Sequence, residues 1–165
     1  DLTIYLEDDL VISDPLFIDK QQWFLQRSEQ RFVLMPHRLE HAAGGGQARL
    51  LVDGPLRPDF IGRFCTPRLD ALRGRFDPQG EEIHFDITTN PHSGCFVLGP
   101  KQVEQLRKKK LPDGGFISPL ETAATLTVLA HFPILKPAAP HQSFLTVEHG
   151  HPSFLSYLQK FPHRQ

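Results

Sequence analysis

Leu2-Thr3-Ile4-Tyr5-Leu6 empties into three consecutive acids, Glu7-Asp8-Asp9, and the apolar run resumes as Leu10-Val11-Ile12 before Ser13-Asp14-Pro15 stops it. Residues 2–6 read as a buried β-strand that ends in clustered carboxylates. Such an ending sets hard oxygen ligands at the edge of a sheet, where they suit Mg²⁺ or Mn²⁺ holding a diphosphate. Three adjacent acids in an apolar context repel one another and resist desolvation, so they call for a compensating cation. A solvated acidic turn between two strands accounts for the same residues. If the backbone stays extended, alternation puts Glu7 and Asp9 on one side and Asp8 on the other. Asp9 lies furthest from the apolar run and is the expected metal ligand, with Glu7 or Asp8 left to hold the nucleotide or a metal-bound water.

Outward from this stretch, strands and helices intermix. From Pro15 to about residue 29, Phe17, Ile18, Trp23, Phe24 and Leu25 have helix-like spacing, with Asp14 as N-cap. Arg31-Phe32-Val33-Leu34-Met35 reads as a second buried strand, ending in Pro36-His37-Arg38-Leu39-Glu40. The glycine-rich stretch 41–48 reads as a loop and Leu50-Leu51-Val52 as a short strand. Residues 53–80, rich in Pro, Gly and Arg, show little regular pattern. Residues 83–88 alternate like a strand with one exposed face, and 94–98 form a short buried strand. Pro100 opens a helix to about Lys109, whose basic end suits the macrodipole. Ser118-Pro119-Leu120-Glu121 starts another, running to about His131 with Leu120, Ala124, Leu126 and Leu129 inward. Residues 133–137 are extended, and 138–165 form a tail with aromatic residues available for packing. The mixture predicts an α/β fold rather than an all-α or all-β one.

The 165 residues suit a single domain spanning 1–165 and can bury a real core. The net charge of −1 argues against a nucleic-acid partner. No apolar run approaches the roughly 18 residues of a membrane span. Cys65 and Cys95 are far apart and read as free, buried thiols in a reducing compartment, which favours the cytoplasm. The chain opens at Asp1 inside a strand-like run, as the C-terminal part of a longer fold would, and such a longer protein is also compatible with a membrane-associated or lumenal location.

Four further groupings carry candidate chemistry. In Glu148-His149-Gly150-His151, two histidines at i, i+2 share a face if extended, and either imidazole suits an oxygen-rich Mn²⁺ shell; an ordinary surface tail explains them too. Glu121, in the first turn of a helix, is placed to serve as a general base or to close a capping box with Ser118. Ser93-Gly94, after Pro91-His92, lets another molecule approach the backbone and line an acceptor site, or simply makes a tight turn. His37-Arg38 suits a phosphate through the guanidinium fork, or Arg38 forms a surface salt bridge with Glu40. Arg107-Lys108-Lys109-Lys110 is most simply a solvated helix end.

In this order the pieces resemble the second half of a GT-A-type glycosyltransferase domain of the exostosin-like kind. Glu7-Asp8-Asp9 resembles the family's DxD-like metal motif. Trp23 falls in the helix that follows, Pro36-His37-Arg38 after the next strand, Ser93-Gly94-Cys95-Phe96 at a small-residue turn, and Glu121 at an acidic helix start. The resemblance implies a partial, Rossmann-related mixed sheet with flanking helices. It also implies Mn²⁺ or Mg²⁺, a nucleotide-diphosphate sugar as donor, and a glycan or other hydroxyl acceptor. On that footing Glu7, Asp8, His37, Arg38, Ser93 and Gly94 would hold the nucleotide sugar, Asp9 with His149 or His151 the metal, and Glu121 would be catalytic. The family's nucleotide-binding first half is missing from these residues, and a second acid usually found after the helix-start glutamate is Thr122 here. A metal-dependent phosphoester hydrolase uses the same ligand types, and a non-catalytic binding domain is the third expectation.

Overall fold

The computed structural model describes residues 1–41, 49–51, 72–76, 80–87, 90–109 and 119–150. In chain order the strands are β1 (Thr3–Leu6), β2 (Leu10–Val11), β3 (Val33–Leu34), β4 (His37–His41), β5 (Arg49–Leu51), β6 (Leu72–Phe76), β7 (Glu81–Ile87), β8 (Cys95–Leu98), β9 (Ile134–Pro137) and β10 (Thr146–His149). Helix α1 is Phe17–Arg27 and α2 is Pro100–Arg107. Helix α3 runs from Pro119–Glu121 through a π-turn at Thr122–Leu126 to Thr127–Leu129, and a 3₁₀ segment, Ala139–Phe144, precedes β10. The fold is mixed α/β, and no described helix is long and apolar enough to cross a membrane.

Three buried strands organise the core. Leu34, Leu135, Cys95 and Val97 face one apolar cluster, while Val33, Met35, Ile134, Phe96 and Leu98 face another. Strands β3, β8 and β9 are thus covered on both sides, which is why they read as continuous apolar runs. The first cluster is filled by Phe17, Phe24 and Leu25 of α1, by Phe76, Ile83 and Phe85 of β6 and β7, and by Phe144. The second is filled by Leu126, Val128 and Leu129 of α3, with Val103 and Leu106 of α2 at its edge. Helix α1 buries Phe17, Lys20, Gln21, Phe24 and Leu25, an i, i+3, i+4, i+7, i+8 stripe. Pairing is mixed: β3 runs parallel to β9, β9 antiparallel to β7 and β7 antiparallel to β6. A second sheet has the order β2-β10-β4-β5, and β1 pairs antiparallel with β8.

Several sequence expectations need correction. The opening strand exists but is not buried: Ile4 and Leu6 are 43% and 42% exposed, and among the described residues β1 pairs with β8 alone. The acids do not continue it. Leu10 N donates to Glu7 O at 3.2 Å, so Asp8 and Asp9 lie in a turn and strand alternation does not govern them. Asp14 is not the N-cap of α1, a position held by Leu16; its carboxylate accepts from Leu16 N at 2.9 Å and pairs with the buried Lys20 at 2.6 Å. His37 and Arg38 do not trail a strand but begin β4. Within the stretch expected to be irregular, residues 72–76 form β6. Leu120 is 72% exposed, while Ala124, Leu126 and Leu129 are buried as expected. The π-turn explains the split, since its extra residue shifts the helix register between Leu120 and the later positions. The supposed tail supplies β10, the strand between β2 and β4. Residues 42–48 and Cys65 lie outside the described residues.

Cys95 is buried at the head of β8, and burial, with the Glu7 carboxylate adding to it, pushes its thiol up to about 12 from 9.0. The thiol is therefore easier to ionise unfolded than folded. Its contribution to stability is whole below about pH 9 and is lost as pH rises toward 12. Iodoacetamide at pH 8 is expected to alkylate the Cys95 peptide only as fast as the chain opens, a rate that denaturant raises. Peptide mass mapping separates this site from Cys65; labelling of native protein at the rate of a free thiol would contradict the burial.

Candidate metal centre

The registers of β10 fix which side chains share a face. Val147 lies opposite Arg38 in parallel β4, and His149 lies opposite Leu10 in antiparallel β2. Alternation then places Leu10, Arg38, Glu40, Val147 and His149 on the inner face, where Leu10, Arg38, Glu40 and Val147 are all buried. Val11, Leu39, His41 and Glu148 fall on the outer face. There Glu148 accepts from Ser13 Oγ at 2.9 Å and pairs with His41 at 3.3 Å.

His149 sits between two carboxylates. Its Nε2 is 3.0 Å from Asp9 Oδ2, and its Nδ1 is 2.8 Å from Glu40 Oε1. The His149 side chain is 7% exposed, that of Asp9 46% and that of Glu40 0%, so the arrangement runs from solvent into the core. Asp9 is brought to the histidine by its turn. Gly150 N donates to Asp9 O at 2.6 Å, and a Cβ on Gly150 would lie only 2.9 Å from that oxygen. A side chain at position 150 would therefore push the acidic turn away from β10.

The donor set fits a hard divalent ion. The Nε2–Oδ2 distance of 3.0 Å is that of a direct imidazole–carboxylate pair, and two octahedral ligands at bond lengths of about 2.1 Å and a right angle also stand ~3.0 Å apart. Carboxylate with imidazole suits Mn²⁺, and carboxylate alone Mg²⁺. Among the described residues no group of three or more His, Cys, Asp or Glu side chains is placed to hold a metal by itself. Ligands from outside the protein, such as water or substrate phosphates, would complete the shell.

The structure brings together Asp9 and His149 of the expected residues and leaves others apart. Asp8 is exposed in the turn. Glu7 turns its carboxylate onto Gly94, whose φ is +64° and where any Cβ would collide with that carboxylate. Ser93 is fully buried, and its Oγ donates to Cys95 O at 2.6 Å, so its hydroxyl braces the start of β8. Nearby His92 Nδ1 lies 2.8 Å from Thr125 Oγ1 in the π-turn of α3. His37 Nε2 donates to Pro137 O at 2.8 Å. Arg38 and Glu40 are buried rather than forming a surface pair. The backbone of Glu121 closes the first segment of α3; its side chain, like all of His151, lies outside the described residues. Glu40 is not among the expected site residues, because Pro36-His37-Arg38-Leu39-Glu40 reads as the segment that follows the second strand. As β4, with a period of two, residues 37–41 place Arg38 and Glu40 on one face.

Comparison of the chain with protein-family models, with curated proteins and with solved structures returned no match.

Proposed function

We propose that these residues form the metal-binding part of a GT-A-type glycosyltransferase, which moves a sugar from a nucleotide-diphosphate donor to a hydroxyl of a glycan or another acceptor. The observation that carries this reading is the meeting of Asp9 and His149, an acid in the turn after the first strand and an imidazole from the last described one, at 3.0 Å. Asp9 Oδ2 and His149 Nε2 would hold Mn²⁺ or Mg²⁺, with the partly exposed carboxylate on the solvent side where a diphosphate can reach it. The ion, when bound, neutralises the charge that grows on the diphosphate as the glycosidic bond breaks. The protein's own part is to fix the two ligands on a turn and a strand that share hydrogen bonds, so that the spacing is set before substrate arrives. Exposed Asp8 beside them is the group available to accept from a ribose hydroxyl.

The reading is tested by calorimetric titration of the natural full-length polypeptide with UDP, with and without Mn²⁺. UDP binding that requires Mn²⁺ and is abolished by EDTA is the expected result. Binding that is absent, or indifferent to the metal, would remove the transferase reading.

A further inference from the structure

We infer that Glu40 is the positioning residue of the metal-binding imidazole, an inference that rests on Asp9 and His149 being the metal pair. Three observations carry it. Glu40 Oε1 lies 2.8 Å from His149 Nδ1, on the ring nitrogen opposite the one that faces Asp9. Glu40 is fully buried, so its carboxylate is not there to meet solvent or a mobile partner. Both residues stand on neighbouring parallel strands, one step beyond the pairing of Glu148 with Leu39, so the sheet itself sets their spacing.

A carboxylate at Nδ1 holds the proton on that nitrogen and turns the Nε2 lone pair outward, toward Asp9. It also makes the imidazole a stronger donor to a cation and stops the ring from rotating out of reach. Metal-binding histidines commonly carry such a partner, and its loss typically weakens metal affinity about 10–100-fold. Burying a carboxylate is costly, and orientation of His149 gives that burial a purpose at the site.

The test is Mn²⁺ binding, read by electron paramagnetic resonance of the free ion, for the full-length parent, Glu40→Gln, Glu40→Ala and Asp9→Ala. Thermal melts confirm which variants fold. The expected order of affinity is parent, then Glu40→Gln, then Glu40→Ala. The amide still accepts from Nδ1 but lacks the charge, so Glu40→Gln should lose at least about threefold and Glu40→Ala about 10–100-fold. In the Mg²⁺ form, ¹⁵N shifts of the His149 ring should place the proton on Nδ1 in the parent and show a mixture of tautomers in folded Glu40→Ala. A folded Glu40→Gln with the parent's Mn²⁺ affinity overturns the inference, whether or not Glu40→Ala folds. If Asp9→Ala loses Mn²⁺ while both Glu40 variants keep it, the metal pair stands and only the role of Glu40 falls. If the parent itself binds no Mn²⁺, the metal reading falls and this inference with it.

Discussion

Asp9→Ala is expected to weaken Mn²⁺-dependent UDP binding about a hundredfold or more, while the melting temperature stays within a few degrees of the parent. The two halves of that expectation have separate causes. Asp9 supplies one of only two protein atoms proposed to touch the ion, and losing a direct ligand should exceed the roughly 10–100-fold cost of losing an outer partner. For stability, the Asp9 side chain is 46% exposed, and ion pairs in such settings contribute only about 0–1 kcal/mol. The backbone bond from Gly150 N to Asp9 O survives the substitution, so the turn keeps its anchor. His149→Ala is a poorer probe. It strips a close partner from the fully buried Glu40, and breaking a buried pair costs about 3–5 kcal/mol. Lost binding in that variant could therefore reflect lost folding. Calorimetry with Mn²⁺ and UDP, beside a thermal melt, reads both halves for Asp9→Ala; unchanged nucleotide affinity would show that the carboxylate does not hold the ion.

Phe85→Ala is expected to be the most damaging core substitution. Phe85 is fully buried in β7, with its ring 5.1 Å from Phe24, 5.6 Å from Phe144 and 5.9 Å from Trp23. It thus joins the sheet to α1 and to the 3₁₀ segment that leads into β10. Truncating a buried Phe costs about 3–5 kcal/mol through lost burial and the cavity left behind. The edge-to-face contacts with Phe24 and Phe144 are worth about 0.5–1.5 kcal/mol each beyond burial. Against a total stability of about 5–15 kcal/mol, this is a large share. A fall in melting temperature of roughly 10–15 °C follows for a chain of this size. Phe85→Leu should lose much less, and Ile18→Ala, at a position 41% exposed, should change little. Denaturant unfolding of the three variants decides the matter; a loss under about 1 kcal/mol for Phe85→Ala would mean that the aromatic cluster is not what ties β7 to α1.

Much of the local structure was legible in the residues. Phe17, Phe24 and Leu25 recur at helical spacing, and α1 buries that stripe. Val33-Leu34 and residues 95–98 read as buried strands and are buried on both faces. The misreadings have a common source. Ile4 and Leu6 are apolar but lie in a strand that, among the described residues, pairs with β8 alone, and hydrophobicity by itself does not say whether a covering neighbour arrives. Leu120 fits a regular helical period, but the π-turn interrupts that period two residues later. Residues 146–149, four residues of mixed polarity, carry no clear alternation signal of their own and fall in the expected tail; they become a strand through pairing with both β2 and β4.

By itself the sequence determined the mixed α/β class and the three acids that follow the first strand, and it offered Asp9 with either His149 or His151 as an expected pair. Those are properties of residue type and short-range spacing, which act through neighbours a few positions away. Only the tertiary structure decided that Asp9 leaves Glu7 behind at a turn, that β10 slots between β2 and β4, and that a buried Glu40 stands at the back of the imidazole. Each of these depends on contacts between segments far apart in the chain, where packing and strand pairing, rather than local periodicity, set which side chains meet.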